Sequence, residues 1–306
     1  LNEDFVERGM VRGLDFNYKI WPGTIEITKD MVRDTKVVVI PDSVKRIADD
    51  AFKKCFMLEE VIFGTGLVTI GDHAFAYCKL LTTVNIPMGL ETVGKEAFEG
   101  CKKLSSVVFP DSTRELGSGL FEGCINLSEF KIPPLVKHLP NRMFSHTNFE
   151  TFNIPDTVES MGIAPFEWCK NLTSIQLSQN LSEIPETTFI NTDLREVVIP
   201  NKVKEIGVGA FGYCTNLRLV KFPPFVRIER SIFFRNYGLR TVILPLGIKG
   251  LHNLGIKGFF DEPAKEDVAE GLVIKRISQE DRFTFDFYGA ADDFADCIET
   301  VLAMHK

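Results

Sequence analysis

The sequence predicts an α+β, mostly β solenoid of about ten parallel strands in repeats of 22–23 residues, followed by a small C-terminal β-β-α unit. Three observations predict it. A Phe recurs at positions 52, 75, 98, 121, 144, 166, 189, 211 and 233, always 22 or 23 residues apart. A pair of apolar residues two positions apart precedes each, from Val38/Ile40 and Val61/Phe63 through to Val220/Phe222, and a tenth pair, Val242/Leu244, follows the last. Phe also supplies 26 residues against 2 Trp and 5 Tyr, so one aromatic type serves one recurrent structural role.

A period of this length with a fixed apolar pattern is the signature of a leucine-rich-repeat solenoid. In such an array each repeat contacts only its neighbours, so 306 residues need not split into two globular cores.

Residues 1–36 do not fit the repeat and read as an N-terminal cap. Tyr18–Ile27 alternates like a strand in its second half, and Trp21 is large enough to cover an open end. Residues 37–250 are the solenoid. The apolar pairs of each strand point inward and the residue between them outward. Pro follows at positions 41, 87, 110, 133, 155, 200, 223 and 245; without an N–H it cannot extend a ladder, which predicts short strands ended by a turn.

A second apolar pair at spacing three follows, such as Leu67/Ile70 and Leu90/Val93, and then Gly71, Gly94, Gly117, Gly162 or Gly207, expected to relieve the backbone at a bend. The Ala-Phe-x-x-Cys-x-x-Leu segment that closes the repeat suits a 3₁₀ or short helical turn with one buried edge. Thr147, Thr192 and Asn236 replace Cys, Thr113 an apolar residue and Pro165 an Ala, so the array becomes less regular after its fourth repeat.

Residues 251–306 form a separate acidic segment, read as a cap or docking module. Leu272–Ile277 and Arg282–Tyr288 read as strands. Phe294, Cys297, Ile298, Val301 and Leu302 fall on one face of a helix that begins near Asp292 and Asp293.

The net charge of −7 comes from the ends. Residues 251–306 carry 12 acids and 6 bases and 1–36 carry 7 and 6, leaving 37–250 balanced at 23 of each. A neutral solenoid with an acidic tail has no electrostatic footprint for nucleic acid. No run of 18 apolar residues occurs, so no membrane insertion is expected, and no signal peptide is expected within this numbering.

Little chemistry survives inspection. Six of seven Cys stand three residues after the marker Phe, as Cys55, Cys78, Cys101, Cys124, Cys169 and Cys214. A linear column cannot surround a metal tetrahedrally, and buried reduced thiols acting as small hydrophobes fit its exchange for Thr and Asn. His73, His138, His146, His252 and His305 show no metal-ligand pairing. Gly117-Ser118-Gly119 and Gly64-Thr65-Gly66 are turn sequences, not a nucleophile elbow or a dinucleotide loop. Asn126, Asn171 and Asn180 match glycosylation acceptors, but the first two follow from the repeat itself. Asp281, Asp286, Asp292 and Asp293 show no nucleophile or metal spacing. No catalytic, cofactor or metal residue is therefore assigned, and the chain is not expected to be an enzyme.

With these residues laid out, the unit resembles the BspA-like class of leucine-rich repeats. Ile199-Pro200, Val203, Ile206-Gly207, Ala210-Phe211, Cys214 and Leu217 fit its pattern almost without exception, and the resemblance spans nearly all of 37–250 but none of 251–306. It implies binding without catalysis and a cell-surface or secreted protein ahead of a cytoplasmic one. The outward strand column, expected on a concave binding face, is polar from Asn85 to Gln176, with exposed Val and Ile at both ends. Asn85, Lys131, Asn153, Gln176 and Lys221 are the candidate partner-binding residues, and a protein or peptide the expected ligand. The alternative is an intracellular scaffold docked through its C-terminal module.

Overall fold

Every third part of a repeat finds a hydrogen-bonding partner in the repeat before or after it, and that relation builds the fold. The computed structural model describes residues 20, 23–31, 35–229, 231–236, 238, 239, 241–245, 273–277 and 282–285. The chain divides into two compact units, Leu1–Glu150 with Thr157–Asn171, and Thr151–Asp156 with Leu172–Lys306. The division falls in the repeats where the pattern loses its regularity. The C-terminal helix expected from Asp292 onward lies outside the described residues.

In the first unit the apolar pairs form Val37–Val39 and Glu60–Ile62, paired in parallel with Val38 opposite Val61. Thr83–Asn85, Ser106–Val108 and Glu129–Phe130 form a second parallel group in the same repeat position. In the second unit Thr151–Asn153 pairs with Ser174–Gln176, Glu196–Val198 with Leu219–Lys221, and Leu219–Lys221 in turn with Thr241–Pro245. Among the described residues these ten strands realise the expected ladder. Val84 and Ile86 are buried while Asn85 between them is exposed, as the alternation requires. Most strands end before their Pro. Thr241–Pro245 does not, because Pro245 has a ladder neighbour on one side only, Ile277.

The tail strands are present as Val273–Ile277 and Arg282–Phe285. The first adds in parallel to Thr241–Pro245 and the second turns back antiparallel to it, so the tail's hairpin extends the same sheet. An open parallel edge would otherwise offer its unpaired N–H and C=O groups to another chain.

The second apolar pair makes its own ladder. Glu26–Ile27, Arg46–Ile47, Thr69–Ile70, Thr92–Val93 and Glu115–Leu116 stack in parallel in the first unit. Glu183–Ile184, Glu205–Ile206 and Arg227–Ile228 do so in the second. Glu26–Ile27 thus joins the array from within the segment read as a cap. Its Ile27 is fully buried opposite Ile47.

The Ala-Phe-x-x-Cys segments are successive turns, not 3₁₀ or helical turns. Residues 73 and 77 take left-handed φ values of 53° and 61°. This orientation aims the N–H groups of His73, Phe75 and Tyr77 at the carbonyls of Lys95, Ala97 and Glu99 in the next coil, at 2.7, 2.8 and 2.6 Å. Glu96, Arg142, His146, Trp168, Asn191 and Tyr213 adopt the same φ in their coils. By contrast Gly71, Gly94 and Gly117 have no positive φ. Gly94 is required because a Cβ there would lie 2.5 Å from the Asp72 nitrogen of the preceding coil. Close approach, not conformational freedom, is what this glycine provides.

The nine marker Phe are all fully buried. In the first unit their rings stack from Phe52 on Phe75, at 4.7 Å and 6°, through to Phe144 on Phe166, at 5.3 Å and 24°. In the second, Phe189 stacks on Phe211 at 5.5 Å. Each such ring contributes roughly 1.5–3 kcal/mol by burial alone.

The cysteines beside them are free. Each thiol from Cys78 on donates to a Phe carbonyl of the preceding coil: Cys78 to Phe52 at 3.1 Å, Cys124 to Phe98 at 3.0 Å, Cys214 to Phe189 at 3.0 Å. Thr147 and Thr192 replace Cys because their hydroxyls donate to Phe144 and Phe189 of their own coils at 2.7 and 2.9 Å.

Candidate protein-binding face

Most three-residue strands of the first ladder bury their middle residue and show one or both flanks to solvent; Ile175 is only half-buried, and Val39 is covered. In the first unit this leaves Thr83, Asn85, Val108, Glu129 and Lys131 exposed; in the second, Thr151, Asn153, Ser174, Gln176, Glu196, Val198 and Lys221. All five residues expected from the sequence are therefore exposed. The structure makes Asn153 and Gln176 register partners and sets Lys221 beside Val198 in the second unit. In the first, Asn85 stands opposite Val108, and Lys131 follows the end of Glu129–Phe130.

The local chain explains a cleft beside Lys131. Glu129–Phe130 stops after two residues, and Phe130 is only half-buried although it occupies an inward position. Its ring is held edge-on, 5.1 Å from Phe121 and 5.7 Å from Phe109. The space left between the neighbouring strands is a cleft of about 380 Å³, lined by Val108, Phe109, Asp111, Glu129, Phe130 and Lys131 among others. An apolar lining with two acids, Asp111 and Glu129, and one base, Lys131, suits a side chain of a peptide or protein.

What separates this face from the second-ladder face is the state of its polar groups. On the second-ladder face Arg46 bonds Glu26 and Asp49, each at 3.0 Å, Thr92 donates to Thr69 at 3.3 Å, and His138 Nδ1 meets Ser160 at 2.8 Å. Arg227 pairs with Glu205 in the second unit. The side chains of Asn85, Lys131, Asn153, Gln176 and Lys221 have no such partner among the described residues. Their donors and acceptors are available to another molecule.

One expectation about this column fails in part. The first end is not marked by an exposed Val, since Val39 is 9% exposed, and Val108, within the stretch expected to be polar, is 54% exposed; Val198, beyond Gln176, is 63% exposed as expected.

Elsewhere the expected inert residues behave as turns and core. Glu96 N donates to Ser118 O at 2.8 Å within Gly117-Ser118-Gly119, and Asp42 accepts from Thr65 N at 2.7 Å at the Gly64-Thr65-Gly66 turn. That bond holds the Asp42 carboxyl below its ordinary value. His146 stacks on Trp168 at 5.5 Å, and burial lowers its pKa. Burial also pushes the thiols up, Cys169 and Cys214 to about 11 and Cys78, Cys101 and Cys124 further, so they are neutral and poor nucleophiles. His252, His305 and the four aspartates of the tail lie outside the described residues.

The repeat pattern is matched in six copies, over residues 32–149 and 137–257, by the family described as the BspA type leucine rich repeat region. The chain belongs to this family. Members of this BspA type are repeat proteins whose general role is protein interaction, and they are typically non-enzymatic. No curated protein matches the chain. Among solved structures, a leucine-rich-repeat protein of T. pallidum is 25% identical with a TM-score of 0.46, covering 66% of this chain and 87% of that one. A leucine rich cell surface protein of Faecalibacterium prausnitzii is 23% identical with a TM-score of 0.39, covering 68% and 78%. A leucine-rich-repeat protein of Bacteroides ovatus is 23% identical with a TM-score of 0.38, covering 83% and 88%. The BspA-type assignment rests on the repeat match. Among the described residues no helix is long and apolar enough to cross a membrane.

Proposed function

We propose that this BspA-type chain is a non-enzymatic cell-surface interaction protein that binds a protein or peptide through the outward residues of its first-ladder strands. The observation that carries the reading is the contrast in pairing: Asn85, Lys131, Asn153, Gln176 and Lys221 on this face have no side-chain partner among the described residues, whereas Arg46, Thr92, His138 and Arg227 on the second-ladder face each have one. A face whose hydrogen-bonding groups are already satisfied gains little by docking, while free groups around apolar Val108 and Val198 supply the mixed surface that protein interfaces use. In the first unit Asn85 and Lys131 carry the contact, with the cleft at Lys131 receiving a partner side chain. In the second Asn153, Gln176 and Lys221 do so.

Free thiols do not argue against placement at the surface. The five thiols from Cys78 on are buried and hydrogen-bonded inside the core, which shields them from oxidants in solvent. The test is capture of partners by the full chain and by two variants, Asn85→Ala/Lys131→Ala and Asn153→Ala/Gln176→Ala/Lys221→Ala. A specific protein partner bound by the wild type should be weakened by at least one of them. Retention at wild-type affinity by both removes the proposal.

A further inference from the structure

The turn face of the first unit gathers ligand atoms that neither the repeat consensus nor the binding face explains. His73 and Glu96 occupy the same position in successive coils, both in the left-handed conformation, at φ 53° and 52°. Glu99 lies one turn further along. Hydrogen bonds between the two coils, from His73 N to Lys95 O and from Tyr77 N to Glu99 O, lock their register. As a result an imidazole nitrogen and two carboxylate oxygens lie within 4.8 Å of one another.

Three further observations concern what surrounds them. His73 Nδ1 is shielded from solvent and has no hydrogen-bond partner; it stands 3.1 Å from Glu96 Oε2, without the alignment of a hydrogen bond. Arg142, on the same face, is committed to Glu122 at 3.3 Å and Glu167 at 3.6 Å, so among the described residues neither Glu96 nor Glu99 has a Lys or Arg partner. Glycines shape the surroundings. The Tyr77 ring lies over Gly100, where a Cβ would come within 2.6 Å of it, and its hydroxyl donates to Glu99; a Cβ on Gly119 would strike Glu96 Cγ at 2.8 Å.

We propose that His73 Nδ1, Glu96 and Glu99 form a binding site for one divalent transition-metal ion of the zinc class, with Tyr77 orienting Glu99 from the outer shell. An orphan imidazole nitrogen beside two carboxylates is a mixed N/O donor set. It suits zinc-class ions better than calcium or magnesium, which take oxygen ligands. Ligand atoms of a tetrahedral zinc site stand about 3.3 Å apart, given bonds of about 2.0–2.1 Å. The ligand atoms lie within 4.8 Å of one another, and the 33% and 42% exposure of His73 and Glu96 leaves room for their side-chain torsions to close that spread. Three protein ligands leave a fourth position for water or for a donor from another molecule. Scanning the sequence for paired histidines misses this site, because its ligands are 23 and 26 residues apart and meet only through the repeat.

The experiment titrates zinc chloride into the tag-free, chelator-treated full chain by calorimetry and records the cobalt(II) absorption spectrum. The controls are His73→Asn, in which Asn tolerates the left-handed backbone, the near-isosteric Glu99→Gln, and His138→Asn on the other face. Binding of one zinc ion per chain is expected, weakened at least about tenfold by His73→Asn and by Glu99→Gln and unchanged by His138→Asn. The cobalt spectrum should show no thiolate charge-transfer band. If His73→Asn does not fold, Glu99→Gln decides. Unchanged affinity in the folded variants, a thiolate band, or no binding up to millimolar zinc would overturn the assignment and leave only a charged surface cluster.

Discussion

The first-ladder face and the second-ladder face of one coil share a single core yet differ in how their outward side chains are used. Both are parallel, both turn an apolar residue inward at each coil, and both rest on the same column of Phe. On the second-ladder face Arg46, Glu26, Thr69 and Thr92 are engaged with each other; on the first-ladder face Asn85 and Lys131 are free and flank exposed Val108. The lesson is that in a repeat protein the interior sets the architecture of every face alike. Function has to be sought in the side chains left without internal partners.

The strongest way to break that comparison is to remove what the two faces share. Phe98, stacked between Phe75 and Phe121 at 5.2 and 5.9 Å, supports both. Phe98→Ala should cost about 3–5 kcal/mol in chemical denaturation, lowering both faces together. A smaller and more local loss is expected from Gly94→Ala, because its Cβ would meet the Asp72 backbone at 2.5 Å in the second ladder. The cost should be about 1–3 kcal/mol, and hydrogen exchange should rise first in Thr69–Ile70 and Thr92–Val93.

How far the sequence foretold these features depends on how long each pattern runs. The first ladder was legible from pairs such as Val84/Ile86, whose alternation covers three residues and recurs in every repeat. The second was not, because Thr92–Val93 has one inward residue and no alternation to read. The glycines were legible as necessary but not for their reason: Gly94 answers to the backbone of the preceding coil, a contact invisible along one chain. Left-handed Tyr77 and Asn191 were unreadable for a related cause, since each is held in that φ by its N–H donating to a carbonyl of the next coil, Glu99 and Gly212 respectively. Of the candidate site, the exposure of Asn85, Lys131, Asn153, Gln176 and Lys221 follows from strand alternation. The cleft at Lys131 does not, because it arises from one strand ending a residue early.

The thiol column sharpens the comparison from beneath. Burial raises the folded-state pKa of Cys169 and Cys214 from an ordinary value of 9.0 to about 11. Protonated thiols are therefore favoured in the folded chain. Their contribution is present in full below the ordinary value and is lost as pH rises through 9.0 toward about 11. Denaturation midpoints should fall over that window, and less steeply in Cys169→Ala/Cys214→Ala. Native thiol modification near pH 8 should be slow for these two residues and complete on unfolding.

The smallest stability effects belong to the strand face itself. Asn85→Ala, Lys131→Ala and Gln176→Ala break no internal bond and should each shift stability by less than about 0.5 kcal/mol. A larger shift in thermal denaturation would show that these side chains serve the fold and would erase the distinction between the faces.

The most direct measurement is quantitative partner capture by the folded full chain in three forms: wild type, Asn85→Ala/Lys131→Ala, and Arg46→Ala/Thr69→Ala on the opposite face of the same unit. If the first-ladder face of this unit carries the contact, a specific partner is lost from the first variant and kept by the second. Undiminished binding by Asn85→Ala/Lys131→Ala, with loss on the opposite face, would contradict it.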